Sequence, residues 1–261
     1  MRTARDAAAE IISSLKKTYA ASFTIVRVDE KSFSHLDLSA YGRFQATLEA
    51  QRYRFLADIE IVEINNSPTS LMAPTMIRSM VSRDGETEAG YYQVRPRVGR
   101  LLKNLLVGIA NFRFIAAPSF FLENLGTKHC YDFTSEIAGT YVTTSNAAAA
   151  AAISLPGSVD AKFFGYDTPL TDIRAAHESR LAAAVRRVGA SPTRMSSYAD
   201  ARAIQARLKQ VKDAHRLASN WITQNELLAL SGGDTELAEA VFEEVQKLLG
   251  VPPFAEEQSR G

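Results

Sequence analysis

"KHCYDFTSEIAGTYVTTSN", residues 128–146, decides the fold class because it predicts two β-strands joined by a tight turn. Aromatic, valine and threonine side chains dominate both halves, and these residue types favour a pleated, half-buried surface. Gly139 lies between the halves, where a turn needs a residue with a permissive backbone. Successive side chains of a strand alternate between its two sides, so His129 and Asp132 are predicted to point in opposite directions.

Further strands and helices are predicted on both sides of this hairpin. Residues 54–61, "RFLADIEI", alternate with a period of two, and Asp84-Gly85 is a turn signal within a second hairpin at 75–96. The remaining predicted strands cover residues 22–30 and 160–166. The predicted helices lie within residues 1–22 and 34–52 and cover residues 169–188, 197–218, 224–230 and 234–249. Strands and helices do not alternate regularly, so the predicted fold class is α+β, with an antiparallel sheet, flanking helices and a helical C-terminal third.

The change in character after Pro169 predicts two domains. Residues 1–166 form the predicted α+β sheet domain, and residues 167–250 form a helical extension packed on it. The last segment, 251–261, reads "VPPFAEEQSRG" and is predicted to be a flexible tail.

Four short motifs resemble a group of uncharacterised bacterial α+β proteins. The motifs are "RFLADIEI" at 54–61, "RDG" at 83–85, "GTYVTTSN" at 139–146 and "LTDIRAAHESRL" at 170–181. Members of that group carry a "DGT…TTTN" segment, whereas this chain has Ala138 before Gly139 in place of an acidic residue. The resemblance extends over residues 36–190 and implies a bacterial origin but no activity.

Composition excludes several classes of protein. The 261 residues carry a formal net charge of +1, which argues against a nucleic-acid partner. Cys130 is the single cysteine, so the chain has neither an internal disulfide nor a cysteine-based zinc cage. No glycine-rich phosphate loop occurs, and no cofactor is predicted. Charges interrupt the N-terminal apolar residues, which argues against a signal peptide and favours a cytoplasmic location.

Three residues are candidates for a catalytic site. His177 lies in an apolar stripe of the predicted helix 169–188, and with His129 and Asp132 it could supply a buried general base and its carboxylate. The interpretation that we favour is a hydrogen-bonded histidine packed against the sheet.

Residues 97–122 form an apolar-basic segment. Lys103 and Arg113 interrupt the apolar run and Pro118 breaks it, so spanning a membrane is disfavoured. Arg97, Arg100 and Lys103 would suit a partner surface or an interfacial helix at a membrane surface, and a buried helix is the third alternative.

Charge is uneven towards the C-terminus. Residues 174–216 contain ten basic and three acidic residues, whereas residues 226–261 contain eight acidic and two basic residues. Arg202, Lys209 and Arg216 recur every seven residues and therefore share one helix face as candidate partner contacts. A solvated face, or pairing with the acidic segment, explains this stripe better than nucleic acid does.

These observations predict a non-enzymatic protein-binding or accessory factor of bacterial type, because no catalytic constellation is complete. The alternatives are a peripheral membrane protein that binds through residues 97–122 and an enzyme with a hidden His/Asp site.

Overall fold

The predicted hairpin is part of a seven-stranded sheet in the computed structural model, which describes residues 3–16, 23–66, 72–97 and 126–250. The strands lie side by side in chain order, and every neighbouring pair is antiparallel except the last, which is parallel. They are β1 (Ile25–Arg27), β2 (Arg54–Ile61), β3 (Ile77–Val81), β4 (Glu88–Val94), β5 (Lys128–Ile137), β6 (Thr140–Ser145) and β7 (Val159–Phe163).

Seven α-helices accompany the sheet within the described ranges, so the predicted α+β class is confirmed. They are α1 (Ala4–Leu15), α2 (Leu38–Glu49), α3 (Val62–Asn65), α4 (Leu170–Val188), α5 (Tyr198–Ala218), α6 (Gln224–Leu230) and α7 (Thr235–Leu249). Local capping explains where the last two helices start. Thr223 and Glu226 form a capping box before α6, and the Asp234 side chain accepts from the Leu237 backbone at the start of α7. Two short 3-10 segments cover Glu30–Phe33 and Ala148–Ala152.

Left-handed backbone conformations close the two main hairpins. Ala138 and Gly139 have φ angles of 48° and 80° and form the two-residue turn of the β5–β6 hairpin, where the sequence predicts a turn at Gly139. Gly85, in the β3–β4 turn, has a φ of 78°, and a Cβ atom there would lie 2.7 Å from the Met195 carbonyl oxygen. Only glycine fits this position, because the Met195 backbone N–H also donates to the Gly85 carbonyl at 2.7 Å.

The chain divides into two compact units that are not contiguous in sequence. The sheet unit comprises Phe23–Ala148 and Ser158–Gln205, and the helical unit comprises Met1–Ser22, Ala149–Gly157 and Ala206–Gly261. Helix α1 therefore belongs to the same unit as α6 and α7, and α4 belongs to the same unit as the sheet. The predicted domains, by contrast, are divided between residues 166 and 167. The predicted tail, 251–261, lies outside the described residues.

The sheet unit has its core on the face of the sheet that α2 covers. Tyr41, Phe44 and Leu48 of α2 pack against Tyr91 and Phe133 of the central strands. Helix α4 adds Ile173 to this core and forms a second apolar cluster with β5 and β6. The same face carries the polar groups of the candidate site described below.

The helical unit has a separate core. Ala8 and Ile12 of α1 meet Ala238, Val241 and Val245 of α7. Across the described ranges, no helix is both long and apolar enough to cross a membrane, and no group of three histidine, cysteine or acidic side chains is arranged to hold a metal ion.

Candidate functional site

His129 and Asp132 lie on opposite faces of the sheet. His129 is opposite Gln93 in the β4–β5 register, whereas Asp132 is opposite Gly90. The His129 Nδ1 atom lies 2.5 Å from the Tyr91 hydroxyl, on the face that α2 covers. The two predicted partners are therefore not brought together, because they are three positions apart along one strand and an odd offset places them on opposite faces.

His177 is buried on α4 between two hydroxyl groups of the sheet. Its side chain has no solvent exposure. The Nε2 atom lies 3.0 Å from Ser135 Oγ on β5, and the Nδ1 atom lies 3.0 Å from Thr144 Oγ1 on β6. The ring of Phe133 lies beneath the imidazole, with 5.7 Å between centroids. The predicted hydrogen-bonded histidine is thus present, with both ring nitrogens engaged.

Arg180 fixes the direction of these hydrogen bonds. A guanidinium can only donate, and Arg180 Nη1 donates to Thr144 Oγ1 at 2.6 Å. The Thr144 hydroxyl is then free to donate its own proton to His177 Nδ1. In that arrangement the Nε2 atom carries the ring proton and donates it to Ser135, whose hydroxyl continues to Thr87 at 3.0 Å. The network then holds a neutral imidazole in one tautomer.

Burial keeps His177 neutral. Desolvation, with a smaller contribution from the Arg180 charge, lowers the pKa of His177 to about 3. Arg180 is itself neutralised by Asp160, whose Oδ1 atom accepts at 2.6 Å. Although partial burial opposes it, the bond from Arg180 also lowers the pKa of Asp160. The charged pair is thus at the rim of the network and the neutral imidazole at its centre.

This arrangement favours a structural role over catalysis. A serine hydrogen-bonded to a histidine is also the arrangement of a nucleophile and its base. Here Ser135 and Thr144 have no solvent exposure, so no substrate atom could reach either hydroxyl. The network instead joins α4 to β5 and β6 through bonds that a purely apolar contact would not supply.

A pH titration of stability tests this role. The pKa of His177 is lower in the folded chain than its ordinary 6.5, so protons bind preferentially to the unfolded chain. The stabilisation that the neutral His177 imidazole contributes is present above pH 6.5 and is lost as the pH falls towards 3. Between pH 6.5 and 4.5 the unfolding free energy of the unaltered chain should fall with each pH unit by about 1.4 kcal/mol more than that of His177→Gln. Urea unfolding followed by tyrosine near-UV circular dichroism measures the slope, and an unchanged slope would contradict a buried neutral imidazole.

The predicted apolar-basic segment is almost wholly outside the described residues. Arg97 is half-buried at the end of a described range, and Arg100 and Lys103 lie beyond it. The role predicted for residues 97–122 therefore stays a prediction.

The C-terminal basic stripe is largely bonded within the chain. Lys209 Nζ lies 2.6 Å from Asp213 Oδ2, one helical turn away. Arg202 is half-buried and its charge acts on Glu88. Arg216 is 1% exposed and forms an ion pair with Glu226 at 2.6 Å, so it is not available to a partner. A heptad spacing places residues on one helix face, but it does not say whether that face is covered.

Sequence reasoning missed the exposed leucines of the helical unit. Four of the large apolar side chains that are exposed belong to this unit: Leu217, Leu230, Leu237 and Leu248. The last two lie on α7 and are 48% and 41% exposed. Their signal in the sequence is an apolar arc on α7 that is wider than a single packed stripe needs.

No family model matches this chain, and no curated protein or solved structure matches it.

Proposed function

We propose that the protein is a non-catalytic protein-binding module, and that the exposed leucine edge of α7 docks a basic, amphipathic segment of its partner. The observation that carries the proposal is the exposure of Leu237 and Leu248 beside a fully packed core. The proposal keeps the bacterial, cytoplasmic setting that the sequence predicts.

The apolar arc of α7 extends beyond the residues that its own unit covers. Ala238, Val241 and Val245 are buried against α1 and neighbouring helices. Leu237 and Leu248 are eleven positions apart, so they lie about 20° apart around the axis and about 16 Å apart along it. They form one edge of the arc, and this edge is long enough to seat two anchors of a second helix.

The helix that carries this edge is acidic, and its charge indicates the chemistry of the partner. Glu236, Glu239, Glu243 and Glu244 lie on α7, against the single basic residue Lys247. Lys247 is already bonded to Glu244 at 2.8 Å. Opposite charge across an interface favours encounter and specificity, so a basic partner segment fits this surface.

The same charges disfavour a membrane as the occupant. Cytoplasmic membrane surfaces carry anionic lipids and attract basic segments, whereas this surface would be repelled. A protein segment with lysine or arginine beside apolar anchors satisfies both the leucine edge and the negative charge of α7.

Matched peptides test the proposal directly. The probes are two labelled 18-residue helical peptides, one of leucine and lysine and one of leucine and glutamate, with binding measured by fluorescence anisotropy. We expect the lysine peptide to bind and the glutamate peptide to fail. Leu237→Asp with Leu248→Asp should weaken the lysine peptide by about tenfold or more, because buried apolar anchors dominate such interfaces.

The double variant separates apolar docking from simple charge attraction. Its two added carboxylates would strengthen a purely electrostatic attraction, which is the opposite result. Ile64→Asp with Val188→Asp is the control, since both residues are exposed, apolar and in the sheet unit. Equal loss in the control, or binding to phosphatidylserine vesicles instead of the peptide, would overturn the proposal.

A further inference from the structure

A cavity of about 510 Å³ lies in the sheet unit between β1, β2 and the 3-10 segment Glu30–Phe33. This volume is within the range of small-molecule sites. Val28, Phe33 and Pro74 give the cavity an apolar wall, and Asp29, His35, Glu60 and Asn65 give it a polar one. The lining residues belong to one compact unit.

Asn65 and Glu60 hold the polar wall in place. The Asn65 amide donates to Glu60 Oε2 at 2.7 Å and to the Thr75 carbonyl at 2.8 Å, and its oxygen accepts from the Thr75 backbone at 2.9 Å. The Asn65 side chain is buried and makes all three of these hydrogen bonds, so its amide is held in one orientation. It orients the half-buried Glu60 carboxylate and leaves that group with one oxygen unused among the described residues.

The polar wall offers acceptors. His35 Nε2 lies 2.7 Å from the Pro74 carbonyl, which can only accept, so Nε2 carries the proton and Nδ1 of the neutral ring is an acceptor. Asp29 Oδ1 accepts from the Lys31 backbone, and its second carboxylate oxygen has no donor within the described ranges. A ligand that complements this wall must therefore bring donors.

The carboxylates of the polar wall have no basic ion-pair partner among the described residues. No lysine or arginine of the described residues lies within 4 Å of the Asp29 or Glu60 carboxylate. Arg78 is already bonded to Asp58 and Glu30. Arg27 also lines the cavity, but it is opposite Ile59 in the β1–β2 register and its guanidinium lies 4.3 Å from the centre of the Tyr198 ring. Glu60 follows Ile59 on the strand and therefore projects from the other face.

We propose that this cavity binds a small organic cation, with an ammonium or guanidinium group at Glu60 and Asp29 and a short apolar body against Phe33 and Val28. The cavity supplies the volume, the two carboxylates supply the charge, and the apolar wall excludes a bare hydrated ion as the best occupant. This site is in the sheet unit and does not depend on the docking surface of α7.

The test uses three probes of one size: n-butylammonium, n-butanol and butyrate. Binding is followed by two-dimensional ¹H–¹⁵N NMR, and the side-chain amide of Asn65 is the reporter because it contacts Glu60. We expect butylammonium to shift this amide with saturation in the millimolar range, butanol to bind more weakly and butyrate to have no effect.

A charge-neutral variant completes the test. Glu60→Gln keeps an oxygen for the Asn65 amide but removes the charge, so we expect the butylammonium affinity to fall about tenfold. Glu49→Gln is the control, because Glu49 is exposed on α2 and lies outside the cavity. Butyrate binding as tightly as butylammonium, or an equal loss in both variants, would overturn the proposal. The three-probe comparison on the unaltered chain decides the outcome even if a variant fails to fold.

Discussion

The Arg216→Met variant is expected to lose about 3–5 kcal/mol of the unfolding free energy of the helical unit, because it leaves a buried carboxylate without its cation. Arg216 and Glu226 are 1% and 2% exposed, and their charged atoms are 2.6 Å apart. Trp221, the only tryptophan, lies in the same unit, and its carbonyl accepts from Arg216 Nη1 at 3.2 Å. Its fluorescence during urea unfolding is the measurement.

The neighbouring bonds explain why the loss should be so large. Besides Glu226, Arg216 donates to the Ser154 carbonyl at 2.5 Å, and Glu226 accepts from the Ser154 and Thr223 backbones at 2.5 and 2.7 Å. One ion pair thus connects α5, α6 and the segment 149–157. Removing either partner leaves several buried polar groups of the other without compensation.

Two controls make this prediction falsifiable. Lys247→Met removes a cation from the exposed pair with Glu244 and should cost less than 1 kcal/mol. The double variant Arg216→Met with Glu226→Leu removes both charges, and it should recover most of the stability that the single variant loses. A single variant no less stable than Lys247→Met would contradict the buried pair.

The same pair makes the helical unit sensitive to acid at low pH. Burial alone would raise the pKa of Glu226, but the bonds from Arg216, Thr223 and Ser154 lower it to about 2. The stabilisation is therefore present above the ordinary pKa of 4.5 and is lost as the pH falls towards 2. His177 loses its contribution from pH 6.5 downwards, so the two units begin to respond at different pH values.

Local signals in the sequence predicted most of the fold. The starts of the helices 224–230 and 235–249 follow from a capping box and an aspartate cap, which act within three residues. The β5–β6 hairpin follows from Gly139 and its flanking strand formers. Such features depend on neighbours in the chain, so one sequence contains them in full.

The candidate sites depend on contacts between distant residues, and the sequence could not supply these. His177 was predicted to face the core, but its hydrogen-bond partners could not be predicted. Ser135 and Thr144 are 42 and 33 positions away along the chain. The cavity combines residues near 30, 60 and 74 in the same way. A strand pattern also hides irregularities: the β-bulge between Phe55 and Ala57 lies at the start of a run that reads as regular alternation.

The Arg78→Met variant is expected to lower the unfolding free energy of the sheet unit by about 3–5 kcal/mol. As with Arg216, the loss leaves a buried carboxylate without its cation. Arg78 Nε and Nη2 donate to the two carboxylate oxygens of Asp58 at 2.8 and 2.7 Å, and Nη2 also reaches Glu30 at 2.5 Å. Asp58 is only 8% exposed, so the variant leaves its charge buried and unpaired. The bidentate geometry cannot be replaced by lysine, and Arg78→Lys should recover only part of the loss.

Eight of the nine tyrosines belong to the sheet unit, so their near-UV circular dichroism during urea unfolding reports on this variant separately from Trp221. Arg174→Met is the matched control, because Arg174 pairs with Glu178 on the surface of α4 and its loss should cost less than 1 kcal/mol. We expect the tyrosine transition to move to lower urea in Arg78→Met while it changes little in Arg174→Met. Equal midpoints would mean that the paired carboxylates are hydrated, and the buried triad would then contribute specificity to the register of β2 and β3 rather than stability.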